Sequence, residues 1–300
     1  MSNLYWPVYK SLEREVLGLS DLVHFDDHQM SVYSVKISEL LIRCAVEIES
    51  ISKDLFIGNG GLVPLGRDLY FDTDCLSFLE EKWLLSKKKV MLSSVNFYVR
   101  DEVNRVLTPL HKSFKRGTSG SNWKRAYQAV KHERVKSLSK GNVGNLIAAL
   151  GALYILNLYY KNEVFELNKD SKGSGFSPNC GSDLFSIVVH HWAGNDLEKG
   201  YVKKNDFDEA VYYIRWTQKA EGVWQKSVAE FNKHVSEAFL KHPKVLEFIA
   251  NNDMSNYEGN FAWEALGQQE YIRVIQQSET LVPIRNVGLE YEAVLNFNDI

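Results

Sequence analysis

The sequence predicts a mainly α protein, an α-helical bundle followed by a mixed α/β C-terminal region. Apolar residues recur at steps of three and four through residues 9–56, and a long apolar stretch covers residues 143–160. After residue 183, β-branched and aromatic runs become frequent, as in strands. The apolar fraction of 45% and the charged fraction of 24% are those of an ordinary globular protein.

The first half contains five predicted helices with short polar connections. Asp26 and Asp27 stand where an N-cap belongs, before a long helix that G-N-G-G ends. The K-K-K-V-M-L-S-S-V stretch is either a strand or a loop. The predicted helices are Tyr9–Leu22, His28–Phe56, Cys75–Ser86, Asn122–Leu138 and Val143–Tyr160. Such a run of helices favours a bundle.

The predicted domain organisation has three parts. Residues 1–165 form the helical bundle, and residues 166–182, rich in Gly, Ser, Asn and Pro, form a linker or long loop. Residues 183–300 form the mixed α/β region. Its predicted strands are L-F-S-I-V-V-H-H-W, D-E-A-V-Y-Y-I-R-W and V-G-L-E-Y-E-A-V-L, and its predicted helices are 222–240, 243–250 and 263–277.

Cysteine usage and hydropathy predict a cytoplasmic protein with no membrane association. Cys44, Cys75 and Cys180 are odd in number and lack CxxC spacing, which fits a reducing compartment. The stretch 143–160 contains two asparagines and two glycines, so we interpret it as a buried core helix rather than a membrane span. The glycine runs lack the lysine of a phosphate loop, and H-E-x-x-H is absent, so no metal or cofactor is expected.

Charge is distributed unevenly along the chain. Residues 112–140 contain nine Lys/Arg and one acid, a local net charge of +8, whereas the whole chain carries −3. A basic segment on an acidic chain indicates a polyanionic partner, although a solvated polar surface gives the same pattern. The predicted backbone-binding cations are Lys112, Lys115, Arg116, Lys124 and Lys131.

The helix N-W-K-R-A-Y-Q-A-V-K-H-E-R-V-K-S contains a candidate catalytic pair. On a helical wheel Trp123, Tyr127 and Val130 face the core, whereas Arg125 and His132, seven residues apart, point together away from it. Histidine exchanges protons near neutral pH, and arginine stabilises the charge of a phosphate in its transition state. The pair therefore predicts metal-independent chemistry on RNA.

Arg134 falls within the apolar side of the same wheel. A cation there needs a partner, and Glu47 or Glu49 on the long helix can supply the carboxylate. Arg43 lies four residues before Glu47 and extends the same network. We expect Arg134, Glu47 and Arg43 to form a structural ion pair network.

Arg125-x6-His132 and the phrase Tyr-x-x-Val-Lys-His-x-Arg, in a late helix of a helical bundle, resemble the R-x(4–6)-H motif of HEPN-domain proteins. The resemblance covers the motif helix, and the first half of the chain only as a pattern of helices. It implies a homodimeric, metal-independent endoribonuclease with His132 as acid/base and Arg125 on the phosphate. Members serve in toxin–antitoxin and phage-defence systems.

Two departures from that family keep an alternative open. Ala126 follows the arginine where active members often carry a polar residue, and six intervening residues are the longest spacing of the motif. Some HEPN-like domains have lost catalysis. The alternative is an inactive HEPN-like module that binds RNA, a nucleotide or a protein, and a third hypothesis is an interaction protein whose basic segment meets an acidic partner.

Overall fold

The computed structural model describes residues 3–191, 204–284 and 288–299 and is mainly helical, with smaller sheets. Its α-helices are α1 (Tyr5–Leu19), α2 (Val35–Gly58), α3 (Ser77–Trp83), α4 (Glu102–Arg105), α5 (Asn122–His132), α6 (Arg134–Ser137), α7 (Val143–Lys161), α8 (Asn205–Glu209), α9 (Gln218–Lys241), α10 (Pro243–Asn251) and α11 (Phe261–Leu281). Its strands are β1 (Val90–Leu92), β2 (Val106–Leu107), β3 (Phe165–Asn168), β4 (Phe185–Ile187), β5 (Val189–His191), β6 (Tyr212–Trp216) and β7 (Tyr291–Leu295). The mainly α class with a mixed C-terminal half is confirmed.

The chain divides into two compact units. The first comprises residues 1–166, 172–215 and 293–300, and the second comprises residues 167–171 and 216–292. The first unit therefore contains more than the predicted bundle 1–165, because residues 172–215 and the C-terminal strand belong to it. Strand pairing and side-chain contacts, which local sequence composition does not report, determine this grouping.

The core of the first unit is built on α2 and α7, which pack along each other, with α1 and α5 beside them. Apolar residues surround α7 on nearly every side, from Leu146 to Tyr159, so the helix is central. By length and composition α7 is the one helix in the described residues that could cross a membrane, but 78% of its apolar window is buried inside the protein. The interpretation of this stretch as a core helix fits that burial.

The long helix predicted from His28 begins later. Residues Asp27–Ser31 form a 3-10 turn, which Asp26 caps by accepting from the His28 amide at 2.7 Å. Ser34 then caps α2 by accepting from the Ile37 amide at 3.1 Å. The predicted capping site is therefore real, but it serves a short turn in front of the long helix.

The predicted helix 122–138 is broken in the structure. α5 ends at His132, and Glu133 adopts φ −136° and ψ 56°, outside the helical region. α6 then runs for four residues, and Arg134 lies on its exposed surface. The wheel that placed Arg134 with Trp123 assumed a continuous helix, so that placement is wrong.

Two small sheets complete the architecture. One has the order β2-β1-β4, with β1 antiparallel to both neighbours, and Val90 lies opposite Leu107 and Ile187. The other has the order β3-β7-β6-β5, in which β5 and β6 are parallel. The stretch that the sequence left as strand or loop is β1. His190 is buried and His191 exposed, as alternation along a strand predicts.

The loop that follows β3 is fastened to α1 at its far end. Glu13 is fully buried and accepts hydrogen bonds from the Tyr9 hydroxyl, the Ser182 hydroxyl and the amide of Leu184. Several groups thus share one buried carboxylate, as burial of a charge requires. Residues 169–182 contain neither helix nor strand, so the long-loop alternative describes this stretch better than a free linker does.

The second unit is a small helical body. α9, α10 and α11 pack around Phe239, Val245, Leu266 and Val274. Gly267 interrupts α11 with φ 70° and ψ 167°, a conformation that favours glycine.

Candidate functional site

Helix α5 is fixed to the first unit by one buried side. Trp123, Ala126, Tyr127 and Val130 are at most 3% exposed. The Trp123 indole donates to the Pro109 carbonyl at 2.8 Å, which ties α5 to the preceding segment. The predicted anchoring face of α5 is therefore correct, and it determines which side chains reach the surface.

Arg125 and His132 are both exposed, on the side of α5 opposite its anchor. They lie two turns apart, about 10 Å along the helix axis. The Arg125 guanidinium donates to Asn122 Oδ1 at 2.5 Å, and His132 is the last residue of the helix. The structure brings the pair to one surface but does not bring its polar atoms into contact.

Lys124 is not available to a nucleic acid. Its side chain is 5% exposed, and its ammonium donates to Asp72 at 3.2 Å, to the Ser113 carbonyl at 2.7 Å and to the Lys115 carbonyl. An ammonium has three protons, so these acceptors occupy all of them. The prediction that Lys124 binds RNA is wrong, because the helix turns it inward to hold the loop at 113–120.

Asp72 is the hub of this buried cluster. It accepts three hydrogen bonds from the Arg116 guanidinium at 2.9–3.1 Å as well as the bond from Lys124. Burial alone would raise its pKa, but Arg116, the Thr73 amide and Lys124 outweigh burial and hold that pKa below its usual range. Burial lowers the pKa of Lys124, and Asp72 opposes that shift. The geometry supports an ionised carboxylate shared by two cations.

Arg116 is only partly free for an external anion. Besides its bond to Asp72, its guanidinium lies 4.0 Å from the centre of the Tyr70 ring, a cation–π contact. About half of its side chain remains exposed, at the mouth of a cleft of about 610 Å³. This first cleft is lined by Glu49, Lys53, Asp68, Leu69, Tyr70, Phe71, Asp72, Arg116, Gly117, Lys124 and Gln128. Three acidic and three basic residues line it, so the first cleft has no strong preference for a charged ligand of either sign.

Lys131, Lys112 and Lys115 remain exposed, as a backbone-binding role requires. The Lys131 ammonium donates to the Tyr127 hydroxyl at 3.1 Å, and that hydroxyl donates to Glu49 at 3.1 Å. Lys115 lies 5.6 Å from the centre of the Phe114 ring. Of the five predicted RNA-binding cations, these three are exposed residues, Arg116 is partly engaged and Lys124 is buried.

The predicted ion pair network of Arg134, Glu47 and Arg43 is not formed. Arg43 pairs with Glu15 of α1, and Lys36 shares the same carboxylate. Among the described residues Arg134 has no ion pair, and Glu47 is partly exposed without one. The physical reason is the break at Glu133, which turns Arg134 to the surface. Glu49, the alternative partner, binds the Tyr127 hydroxyl instead.

A second cleft, of about 410 Å³, was not predicted; it is lined by residues 118–121, which follow Gly117 of the first cleft. Its polar lining includes His111, Lys112, Ser121 and Arg125, and none of its lining residues is acidic. The one signal that the sequence offers for this cleft is R-G-T-S-G-S, residues 116–121, directly before the start of α5. The buried role of Asp72 has no such signal, because an aspartate shortly before the predicted helix Cys75–Ser86 is typical of a local N-cap.

No group of three or more His, Cys, Asp or Glu side chains suited to a metal ion occurs in the part of the chain that the structure describes. His190 bonds with Asp206 at 2.9 Å, on strand β5 and helix α8. That contact is a hydrogen bond between the two elements.

The fold and surface thus define a mainly helical protein with a basic, partly apolar cleft beside an exposed Arg/His helix face. Comparison with protein-family models, curated proteins and solved structures finds no match to this chain. The geometry of α5 and its preceding loop is therefore the basis for a functional conclusion.

Proposed function

We propose that the protein is a homodimeric, metal-independent endoribonuclease with a HEPN-like bundle, acting in the cytoplasm. The observation that carries the proposal is the exposure of Arg125 and His132 together on α5, whose opposite side is buried. Free, buried cysteines fit a reducing compartment. A bacterial toxin or phage-defence role would follow from such an activity.

A second copy supplies what one chain lacks. Two turns separate Arg125 from His132, so a second α5 brings two histidines and two arginines around one phosphate. One His132 takes the proton of a ribose 2′-hydroxyl, whose oxygen attacks the adjacent phosphorus. The bond to the 5′ oxygen breaks, and His132 of the second copy gives that oxygen a proton. Arg125 stabilises the charge on the non-bridging oxygens.

Lys112, Lys115 and Lys131 serve to attract the RNA backbone. All three residues are exposed, and each contact that a lysine makes with the backbone releases a counterion. Lys124 is excluded from this role because its protons are occupied inside the protein. The proposed contact surface is thus narrower than the basic segment of the sequence.

The test is cleavage of a structured and an unstructured RNA in EDTA. We expect cleavage by the wild type and a loss of about 100-fold or more in Arg125→Ala and in His132→Ala, as for loss of an acid/base or a charge-stabilising group. Lys136→Ala is the control, since it removes an exposed cation nearby. Absence of wild-type cleavage, or equal cleavage by the His132→Ala variant, rejects the proposal.

The second candidate is a non-catalytic RNA-binding module. The bond from Arg125 to Asn122 favours it, because the guanidinium is already engaged within its own helix turn. This candidate predicts salt-dependent RNA binding by the wild type without cleavage. An interaction protein with an acidic partner predicts neither RNA cleavage nor RNA binding.

A further inference from the structure

We propose that the second cleft binds a phosphomonoester, the 5′-phosphate of a nucleotide or of an RNA end. The binding groups are the N-terminus of α5, the Ser121 hydroxyl, Lys112 and Arg125. The site is distinct from the proposed cleavage chemistry in that it needs neither His132 nor a second copy. Arg125 and Lys112 are the residues that both proposals use.

The start of α5 leaves its donors available. Ser121 occupies the N-cap position, but its side chain makes no capping bond. The backbone amides of Asn122, Trp123 and Lys124 donate no hydrogen bond to any acceptor among the described residues. An α-helix of eleven residues presents partial positive charge at this end, and amides there bind phosphate oxygens.

The Ser121 hydroxyl gives an independent indication of a ligand. Ser121 is 8% exposed and lines the second cleft, and its Oγ has no hydrogen-bond partner within the described residues. Buried hydroxyl groups nearly always have a partner in folded proteins. A serine that neither caps its helix nor bonds elsewhere, at the wall of a cleft, is suited to donate to a bound oxygen.

The charges at the two clefts differ in a way that selects the second for an anion. The first cleft contains Glu49, Asp68 and Asp72, which neutralise its cations. The lining of the second contains Lys112, Arg125 and His111 without any acid. A terminal phosphate carries close to two negative charges at neutral pH, which two permanent cations balance.

The remaining walls indicate what the phosphate is attached to. Val106, Leu107 and Pro109 give the cleft an apolar side, and Thr118 and Ser119 give it hydroxyl groups. About 410 Å³ is enough for a nucleoside group, and mixed apolar and hydrogen-bonding walls are typical of small-molecule sites. A nucleoside 5′-monophosphate therefore fits both ends of the cleft.

The experiment compares AMP with adenosine, and a 5′-phosphorylated RNA decamer with its 5′-hydroxyl form, by calorimetry on the full chain. We expect AMP or the phosphorylated RNA to bind at least 10-fold more tightly than its unphosphorylated partner. Ser121→Ala and Lys112→Ala are each expected to weaken that binding by 5-fold or more. Ser139→Ala and Lys136→Ala, which remove an exposed hydroxyl and an exposed cation outside the cleft, should change it less than 2-fold.

The two RNA forms and the mononucleotide separate the sources of the phosphate. Binding of AMP shows that a free nucleotide suffices, whereas binding of phosphorylated RNA alone shows that the RNA end is required, and both support the site. Equal binding of phosphorylated and unphosphorylated ligands overturns it. Binding that is unchanged in Ser121→Ala and Lys112→Ala also overturns it, as does absence of binding at millimolar ligand. Because AMP binding does not depend on RNA cleavage, this test of the second cleft can be interpreted even if the ribonuclease proposal fails.

Discussion

At the scale of single residues, the buried carboxylate of Asp72 holds the site in shape. It neutralises Lys124 inside the protein and Arg116 at the edge of the first cleft. Through Lys124 it also fixes the carbonyls of Ser113 and Lys115, and thereby the start of the loop whose residues line both clefts. Lys124, which the sequence predicted to bind RNA, thus has a structural role instead.

We predict that Asp72→Asn lowers the free energy of unfolding at pH 7 by about 3 kcal/mol, because it leaves the Lys124 ammonium buried without its counter-ion. The pKa of Asp72 is depressed in the folded protein, so its contribution is present above the unfolded value near 3.9 and is lost as pH falls below it. Urea unfolding at pH 7 and at acid pH measures both effects.

Asp68→Asn is the matched control for this substitution. Asp68 lines the same cleft but is exposed, so its loss should cost less than about 0.5 kcal/mol. A difference between wild type and Asp72→Asn that stays constant from pH 7 down through the acid range would contradict the linkage argument.

At the scale of elements, α5 and the R-G-T-S-G-S loop that precedes it pack closely against each other. The loop reaches α5 through Gly120, where an added Cβ would lie 2.9 Å from the Lys115 carbonyl oxygen and 3.2 Å from Lys124 Cε. The Lys115 carbonyl oxygen is a backbone atom, which cannot move aside without shifting the loop. The glycine is therefore required by close approach rather than by flexibility.

Gly120→Ala is expected to destabilise the protein by about 1–3 kcal/mol, since the added methyl group forces the loop away from Lys124. Gly18→Ala provides the comparison, because Gly18 lies within α1 and nothing stands within 4 Å of its added Cβ. That change should be neutral or stabilise by up to about 1 kcal/mol. The denaturant midpoints of the two variants measure both effects. Equal destabilisation by Gly120→Ala and Gly18→Ala would contradict the conclusion that close approach requires glycine at position 120.

At the scale of the whole molecule, a net charge of −3 conceals a basic region on the surface of the first unit. The folded protein offers fewer cations to a polyanion than the sequence suggests, because Lys124 is buried and Arg116 is partly paired. Polyanion binding then depends on few contacts against an acidic background. Added salt screens both the attraction of the basic region and the repulsion from the remainder.

If RNA binds at this surface, we predict that affinity falls as salt rises, with a log–log slope of about −2 to −3 from three or four contacts with single-stranded RNA. Replacing Lys131 by Ala should reduce the steepness of that slope by roughly 0.7. Replacing Lys124 by Met should leave the slope unchanged, because the wild-type ammonium faces inward. Filter-binding titrations from 50 to 300 mM salt, about the range where such contacts are screened, test both. A slope near zero excludes a backbone-binding surface.

Several elements followed directly from local pattern. The apolar spacing of α2 and α7, the strand character around Tyr213 and the anchoring face of α5 were correct, because burial demands periodicity that a sequence displays. The break at Glu133 was missed, since nothing in E-R-V-K forbids a helix. Arg134 was misplaced as a direct consequence.

The sequence by itself determined the helical class, the buried side of α5 and the outward direction of Arg125 and His132. These depend on periodicity and on residues close in the chain. Only the tertiary structure decided that Lys124 turns inward to Asp72, that Arg43 pairs with Glu15, and that Lys112 and Arg125 share a cleft with Ser121. Each of these arrangements includes at least one pair of residues nine or more positions apart in the chain, and the geometry of packing, rather than local propensity, brings such residues together.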